Sequence, residues 1–171
     1  MPETAGGRKF ANVFVTVGST EFDLLIRTVT SDEVLEVLQQ LGCKNLKLQI
    51  GKGAYVPSEI DKNRHPAIEL TYFRSKDSIQ EDLAWADLVI GHAGAGTCLE
   101  TLELGRPLVV VELASQLASD GHLFFCVPSQ LANTLSQSDF DVLVPFVPGE
   151  PQRFADWLDE YLGVVDVKKK D

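Results

Sequence analysis

The sequence predicts an α/β domain in which a parallel β-sheet carries helices on both faces. Short apolar runs alternate with helical patterns along most of the 171 residues. Several runs are apolar at every position, which is typical of strands buried on both faces of a parallel sheet. Glycine-rich turns follow two of these runs, at Gly18 and Gly91. In such folds, ligands bind beyond the carboxyl ends of strands, so both turns are candidate binding elements.

Six strands and six helices are predicted in chain order, together with a further helical pattern at residues 113–121 that follows the fifth strand almost directly. The first strand is β-branched and ends in a turn of small residues. Ser31 or Asp32 caps the second helix, and Gly42 is typical of the residue that follows a helix. Asp77 or Ser78 caps the third helix, and Gly105 ends the fourth. The strands are predicted at residues 12–17, 46–50, 68–73, 88–90, 107–111 and 122–127, the helices at 21–29, 32–41, 78–86, 96–104, 129–136 and 152–162, and a loop with two prolines at 54–66.

Length and composition indicate one domain over residues 12–163, between a flexible leader, 1–11, and a flexible tail, 164–171. The net charge of −10 argues against a nucleic-acid partner, which requires a basic face. It also means that backbone amides and a few local cations must hold any phosphate ligand. Cys43, Cys98 and Cys126 lie far apart, which fits a reducing compartment and supports neither zinc nor disulfides. No cofactor, metal site or membrane span is expected.

The stretch from Asp87 to Glu100 predicts a strand, a glycine turn and the start of a helix. Amides at a helix start carry partial positive charge and can hold a phosphate. Glu100 lies inside the helix, where its carboxylate can accept hydrogen bonds from sugar hydroxyls. His92 ends the strand and can act as an acid or base near neutral pH, although a structural hydrogen bond fits equally well. Gly94 and Gly96 can bind the ligand or merely permit the turn.

Several motifs in fixed order resemble a known family. They are residues 15–23, 48–51, 76–79, 86–102, 105–111 and 121–126. Their order is similar to that in the catalytic subunit of the eukaryotic UDP-N-acetylglucosamine transferase that adds the second GlcNAc to GlcNAc-pyrophosphate-dolichol. The resemblance covers about residues 12–162. It implies a Rossmann-like sheet equivalent to the C-terminal, donor-binding half of a GT-B glycosyltransferase.

The resemblance also implies roles for particular residues and partners. Gly94, Ala95, Gly96 and Thr97 would surround the UDP diphosphate, and Glu100 would lie near the ribose. The turn of Gly18, Ser19 and Thr20 would line the cleft that faces the partner. Members of the family act at the cytosolic face of the endoplasmic reticulum and need a second, membrane-anchored subunit. Asp23 and Lys76 are interpreted as surface residues.

The sequence departs from the family after Val111. Members carry a short segment with Asn, His and Gln before the next helix, whereas here Glu112 and Leu113 follow almost at once. A catalytically impaired form that still binds the partner therefore remains an alternative to the active transferase. A dinucleotide-binding module is a further alternative, because Gly94 and Gly96 match the start of its glycine motif and Glu112 ends the next strand. Leu99, however, occupies the position of the third glycine.

Overall fold

Six parallel strands form a single sheet in a computed structural model that describes residues 8–92, 94–111, 121–147 and 149. The spatial order is β3-β2-β1-β4-β5-β6, so the chain moves outward from β1 in one direction and then returns to its other side at β4. This order reverses between β1 and β4. The strands are β1 (Asn12–Thr16), β2 (Asn45–Gln49), β3 (Glu69–Phe73), β4 (Leu88–Gly91), β5 (Leu108–Val111) and β6 (Phe124–Cys126).

Helices cover both faces of the sheet. On one face lie α1 (Asp23–Val29), α2 (Asp32–Gln40) and α5 (Leu131–Gln137), and on the other lie α3 (Gln80–Trp85) and α4 (Ala95–Glu103). Two short 3-10 helices, Pro128–Gln130 and Phe140–Val142, flank α5. No helix among the described residues is long and apolar enough to cross a membrane.

The central strands are apolar throughout because successive side chains enter different cores. In β1, Val13 and Val15 pack toward α1 and α2, whereas Phe14 packs toward α3 and α4. β4 does the same, with Ile90 in the first core and Val89 in the second. Period-two geometry therefore explains why the runs show no polar alternation.

The predicted architecture is confirmed. All six strands form within one or two residues of their predicted bounds, except β6, which keeps three of its six predicted residues. The loop predicted at residues 54–66 contains no helix or strand. The predicted helix at 152–162, the short connection at 112–120, most of the leader and the tail lie outside the described residues.

The glycine turn that follows β2 packs against the turn that follows β1. Gly51 follows β2 with a φ of 59°, a left-handed conformation that favours glycine. A Cβ atom at this position would lie 2.0 Å from the backbone oxygen of Thr20, which belongs to the turn after β1. The same oxygen accepts a hydrogen bond from the backbone of Lys52 at 2.9 Å. The two turns are therefore locked together at the carboxyl edge of the sheet.

We predict that Gly51→Ala lowers the free energy of unfolding by about 3 kcal/mol, because backbone strain and overlap with a fixed carbonyl add together. Gly105→Ala is the matched control. Its φ is 65°, but nothing lies within 4 Å of the added Cβ, so only the conformational cost of about 1 kcal/mol applies. Urea unfolding of both variants measures the difference, and equal losses would contradict the close contact at Gly51.

A buried carboxylate pins α3 to the sheet. Asp82 is 3% exposed and accepts hydrogen bonds from Lys47 on β2 and from Lys76 in the loop before α3. Burial alone would raise the pKa of Asp82, but the hydrogen bonds and charges of the two lysines outweigh it and hold the pKa below its usual value. The carboxylate therefore stays charged while the protein is folded.

This lowered pKa predicts a specific acid sensitivity. Asp82 stabilises the fold fully above its unfolded pKa of about 4, and this contribution disappears as the pH falls through the lower folded-state pKa. The difference in unfolding free energy between the wild type and Asp82→Asn should therefore narrow when the pH is lowered from 7 toward 3. Denaturant titrations across this pH range measure it. A difference that stays constant would show that Asp82 is not held as the charged form.

Candidate functional site

The crevice between β1 and β4 is the position where the topology of the sheet reverses. The two strands are direct neighbours, with Thr16 paired to Gly91. After these residues the chain leaves β1 toward α1 on one face and leaves β4 toward α4 on the other. A crevice opens at such a point, beyond the carboxyl ends of the strands, and is where doubly wound α/β domains bind ligands.

Hydrogen bonds from buried side chains shape the turn after β1. The amide of Gly18 donates to Thr16 Oγ1 at 3.0 Å, and that hydroxyl donates to Gln49 Oε1 at 2.5 Å. Thr20 Oγ1 donates to the backbone oxygen of Val17 at 2.8 Å. The hydroxyl of Thr20 therefore stabilises the turn itself, while Ser19 is exposed at its tip.

The turn after β4 leads directly into α4. Gly94 is the N-cap, and the amide of Cys98 donates to its backbone oxygen at 3.0 Å as the first helical hydrogen bond. The amides of Ala95, Gly96 and Thr97 precede this bond, and amides of a first helical turn have no acceptor within their own helix. No described residue lies within 4 Å of a Cβ atom built on Gly96. The helix start can therefore receive an anionic group.

The imidazole of His92 lies between the two glycine turns. A Cβ atom built on Gly18 would be 3.2 Å from His92 Cε1, and one built on Gly94 would be 3.0 Å from the same atom. The backbone amide of His92 donates to the backbone oxygen of Thr16 at 3.3 Å. His92 Nδ1 is buried and has no hydrogen-bond partner among the described residues. The structure therefore places this side chain at the crevice, with no hydrogen bond from Nδ1 to any residue in the described part of the chain.

Glu100 and the turn after β1 face one cleft of about 240 Å³. Glu100 reaches the cleft from α4, one and a half turns beyond the helix start. The opposite wall is the loop between β3 and α3, together with Gln49 at the end of β2. The residues that line the cleft are Gly18, Ser19, Gln49, Ser75, Lys76, Asp77, Ser78, Ile79 and Glu100.

The structure brings most of the predicted site residues to one edge of the sheet. Gly18, Ser19 and Glu100 share the cleft. His92 adjoins it beside Gly18, and Gly94 lies on the other side of the His92 imidazole. The described side chains of Thr20 and Thr97 do not line it, although the backbone of Thr97 belongs to the helix start. Ala93 and the side chain of Ala95 lie outside what the structure describes.

Six of the nine lining residues were not predicted as site residues, and Gln49 and Lys76 are two of these that bring hydrogen-bond donors to the cleft. Gln49 is 4% exposed, and its side-chain oxygen accepts the hydrogen bond from the hydroxyl of Thr16. The side-chain NH₂ of Gln49 is therefore the group that this residue can offer to the cleft. Lys76 was interpreted as a surface residue; it is partly exposed, but its ammonium is held at the wall of the cleft. Both residues belong to quoted family motifs, so their place in those motifs was the available signal.

A larger groove of about 490 Å³ lies on the other helix layer, between α1, α2 and the start of α5. Leu24, Arg27 and Val34 are among the residues that line it. None of the predicted site residues belongs to it, so its size carries no functional argument.

The fold and the crevice define a class, the doubly wound α/β domains with a ligand site at the switch point of the sheet. Residues 12–123 match the family described as the glycosyltransferase family 28 C-terminal domain. The chain therefore belongs to this glycosyltransferase family. The resemblance found in the motifs is confirmed.

A human relative, "UDP-N-acetylglucosamine transferase subunit ALG13", is 50% identical over 125 residues. The match covers 67% of this chain and 11% of the human protein. The chain thus spans about a tenth of the length of that relative.

Solved structures support the fold. The match with the solution structure of ALG13 covers 89% of this chain and 96% of the ALG13 chain, with a TM-score of 0.63 at 23% identity. MurG of Acinetobacter baumannii covers 92% of this chain with a TM-score of 0.58 at 18% identity, and the match takes up 51% of MurG. The expected similarity to the C-terminal half of a GT-B glycosyltransferase is confirmed.

The packing of His92 predicts a contrast between two glycines of the same turn. Gly94→Ala should lower the free energy of unfolding by about 1–2 kcal/mol, because alanine is a poorer N-cap and its methyl group displaces the imidazole. Gly96→Ala should not lower it, since the added methyl group meets nothing within 4 Å and the residue is helical. The NMR resonance of His92 Hε1 should shift in the first variant alone. An unchanged resonance in Gly94→Ala would contradict the observed contact.

Proposed function

We propose that this chain is the donor-binding subunit of a transferase that moves GlcNAc from UDP-GlcNAc to GlcNAc-pyrophosphate-dolichol. This reaction is the second step in the synthesis of the lipid-linked oligosaccharide for N-glycosylation. The observation that carries the proposal is the convergence of Glu100, the glycine turn and the start of α4 at one switch point. Family membership and the name of the human relative support the choice of sugar donor.

Each group at the site has chemistry that suits a nucleotide sugar. The amides of Ala95, Gly96 and Thr97 would hold the diphosphate, and the helix dipole would add to their attraction. Glu100 would accept hydrogen bonds from the ribose hydroxyls. Because charge grows on the diphosphate as UDP leaves, amides fixed before the reaction would stabilise the transition state more than the bound substrate.

His92 lies where it can act on the reacting end of the donor. Its imidazole is held between Gly18 and Gly94, and its buried Nδ1 is available for a ligand or a proton. We propose that it contacts the phosphates or exchanges a proton there as UDP leaves. Such a role requires neither a metal ion nor a cofactor.

The proposal includes a membrane-anchored partner subunit. The described domain matches about half of MurG. In the proposal, the partner provides the surface that closes the donor site and binds the lipid acceptor. The turn of Gly18 and Ser19 lies at the rim of the cleft, where such a partner would meet it. We propose that this partner recruits the chain from the cytosol to the cytosolic face of the endoplasmic reticulum.

The proposal is tested by co-expressing the chain with the membrane-anchored subunit and measuring GlcNAc transfer from UDP-GlcNAc to GlcNAc-pyrophosphate-dolichol. Glu100→Ala should lower kcat/KM by about tenfold or more, because two hydrogen bonds to a charged acceptor are lost. Glu103→Ala is the matched control, since Glu103 is also exposed on α4 but does not line the cleft.

Three outcomes separate the alternatives. Full activity of Glu100→Ala in the assembled enzyme would overturn the site assignment. An assembled complex without transfer would identify the chain as the impaired form that its short connection after Val111 makes possible. Binding of NAD without binding of UDP would favour the dinucleotide module, although here the glycine turn follows β4, whereas the dinucleotide motif follows the first strand.

A further inference from the structure

We propose that Lys76 supplies the positive charge that this cleft offers to the diphosphate of the nucleotide, and that Asp82 is a positioning residue that holds Lys76 in place. This inference rests on the proposed function, because it assigns two more residues to the same donor site. Both residues lie outside the glycine turns and α4 that carry the proposed function.

The side chain of Lys76 is fixed from two directions. Its Nζ donates to Asp82 Oδ2 at 2.8 Å and to Asp82 Oδ1 at 3.1 Å. It also lies 4.2 Å from the centroid of the Phe73 ring, at the end of β3. An ammonium has three donors, so two hydrogen bonds to Asp82 leave one donor for a ligand. The side chain remains 44% exposed, and Lys76 lines the cleft.

The charges around Asp82 do not cancel. Its side chain is 4% exposed and is shared by two lysines, because Lys47 Nζ also donates to Oδ1 at 3.0 Å. Lys47 lies 4.1 Å from the centroid of the Trp85 ring and does not line the cleft. Two ammonium groups and one carboxylate leave a net charge of about +1 on the cluster, since the lowered pKa of Asp82 keeps it ionised. Lys76 is the more exposed of the two lysines, at 44% against 27% for Lys47, and is the one that lines the cleft.

The cleft needs a cation if it is to hold a diphosphate. The whole chain carries a net charge of −10. Asp77 and Glu100 also line the cleft, and both are acidic. Among the described residues that line it, Lys76 alone is basic. Without this ammonium, the described lining of the cleft would present two carboxylates and no positively charged side chain to a diphosphate.

Asp82 prevents Lys76 from pairing with the wrong carboxylate. Lysine has four rotatable bonds, and a free Lys76 would be attracted to its neighbour Asp77 or to Glu100 across the cleft. The ion pair with Asp82 and the face of Phe73 hold the ammonium at the wall instead. The side chain of Lys76 then loses its conformational entropy during folding, so less entropy is lost when the ligand binds.

A purely structural role predicts different behaviour. If the cluster served only to attach α3 and its preceding loop to the sheet, removing Lys76 would lower thermal stability and leave nucleotide binding unchanged. A contact to the base or ribose would weaken the binding of UDP and uridine equally. A contact to the diphosphate would weaken the binding of UDP alone.

The test measures UDP and uridine binding to the 171-residue chain by NMR titration at low salt. Lys76→Met should weaken UDP binding about tenfold, the usual effect of one charge-assisted hydrogen bond, and leave uridine binding unchanged. Lys76→Arg keeps the charge and should restore most of the affinity. Lys62→Met is the matched control. Lys62 forms an ion pair with Glu69 at 2.6 Å, and Glu69 lies at the opposite end of β3 from the cleft. The control variant therefore removes one positive charge far from the cleft.

A double-mutant cycle tests the role of Asp82. Asp82→Asn should weaken UDP binding in the wild-type background but have no further effect when combined with Lys76→Met, because Asp82 acts through Lys76. Asp82→Glu replaces it in the cycle if the asparagine variant fails to fold. Additive losses would show that Asp82 acts on the fold rather than on Lys76.

Failure of this inference is distinguishable from failure of the proposed function. If the wild-type chain binds UDP and Lys76→Met binds it equally well, Lys76 has no role in the site and the proposed function stands. Equal weakening of UDP and uridine binding would likewise overturn the assignment to the diphosphate. If the wild-type chain binds UDP neither alone nor in the complex with its membrane-anchored partner, both proposals fail.

Discussion

The close pairing of β1 and β4 is the constraint on which the site depends. These two strands meet in the middle of the sheet, yet their chains leave it toward opposite helix layers. The backbones must separate directly after Thr16 and Gly91, which opens a crevice. Glycine suits both turns because the imidazole of His92 lies between them, and a Cβ atom at Gly18 or Gly94 would come within 3.0–3.2 Å of its Cε1. The turns, the histidine and the start of α4 therefore form one packed unit.

Much of this arrangement follows from the sequence. Apolar strands that alternate with helices define a two-sided parallel sheet, and the carboxyl edge then contains every strand-to-helix turn. That reasoning placed Gly18, Gly94 and Glu100 near one another, and the structure confirms their shared edge. It worked because strand direction alone decides which turns meet. No knowledge of side-chain contacts was needed.

Side-chain networks could not be predicted in the same way. Lys76 and Asp82 belong to different kinds of local structure, since Lys76 lies in a loop and Asp82 in α3, so neither strand nor helix periodicity predicts their contact. Lys47 joins them only because β2 passes beneath α3. In the sequence, Gln49 is indistinguishable from an ordinary polar strand residue, and only the structure shows that it accepts a hydrogen bond from Thr16. Such contacts depend on how the elements pack, and the one-dimensional pattern carries no information about that.

The buried position of Asp82 explains how an acidic chain keeps a cation available. A carboxylate at the surface would hold a lysine weakly, since water and salt screen the pair. Asp82 is almost fully buried, so losing either lysine would leave its charge poorly compensated, and this cost keeps both ammonium groups in place. The hydrogen bonds that hold its pKa low also keep the cluster charged at neutral pH. The charge at this wall of the cleft is therefore set by packing inside the fold, and the acidic residues Asp77 and Glu100 can lie in the same cleft without neutralising it.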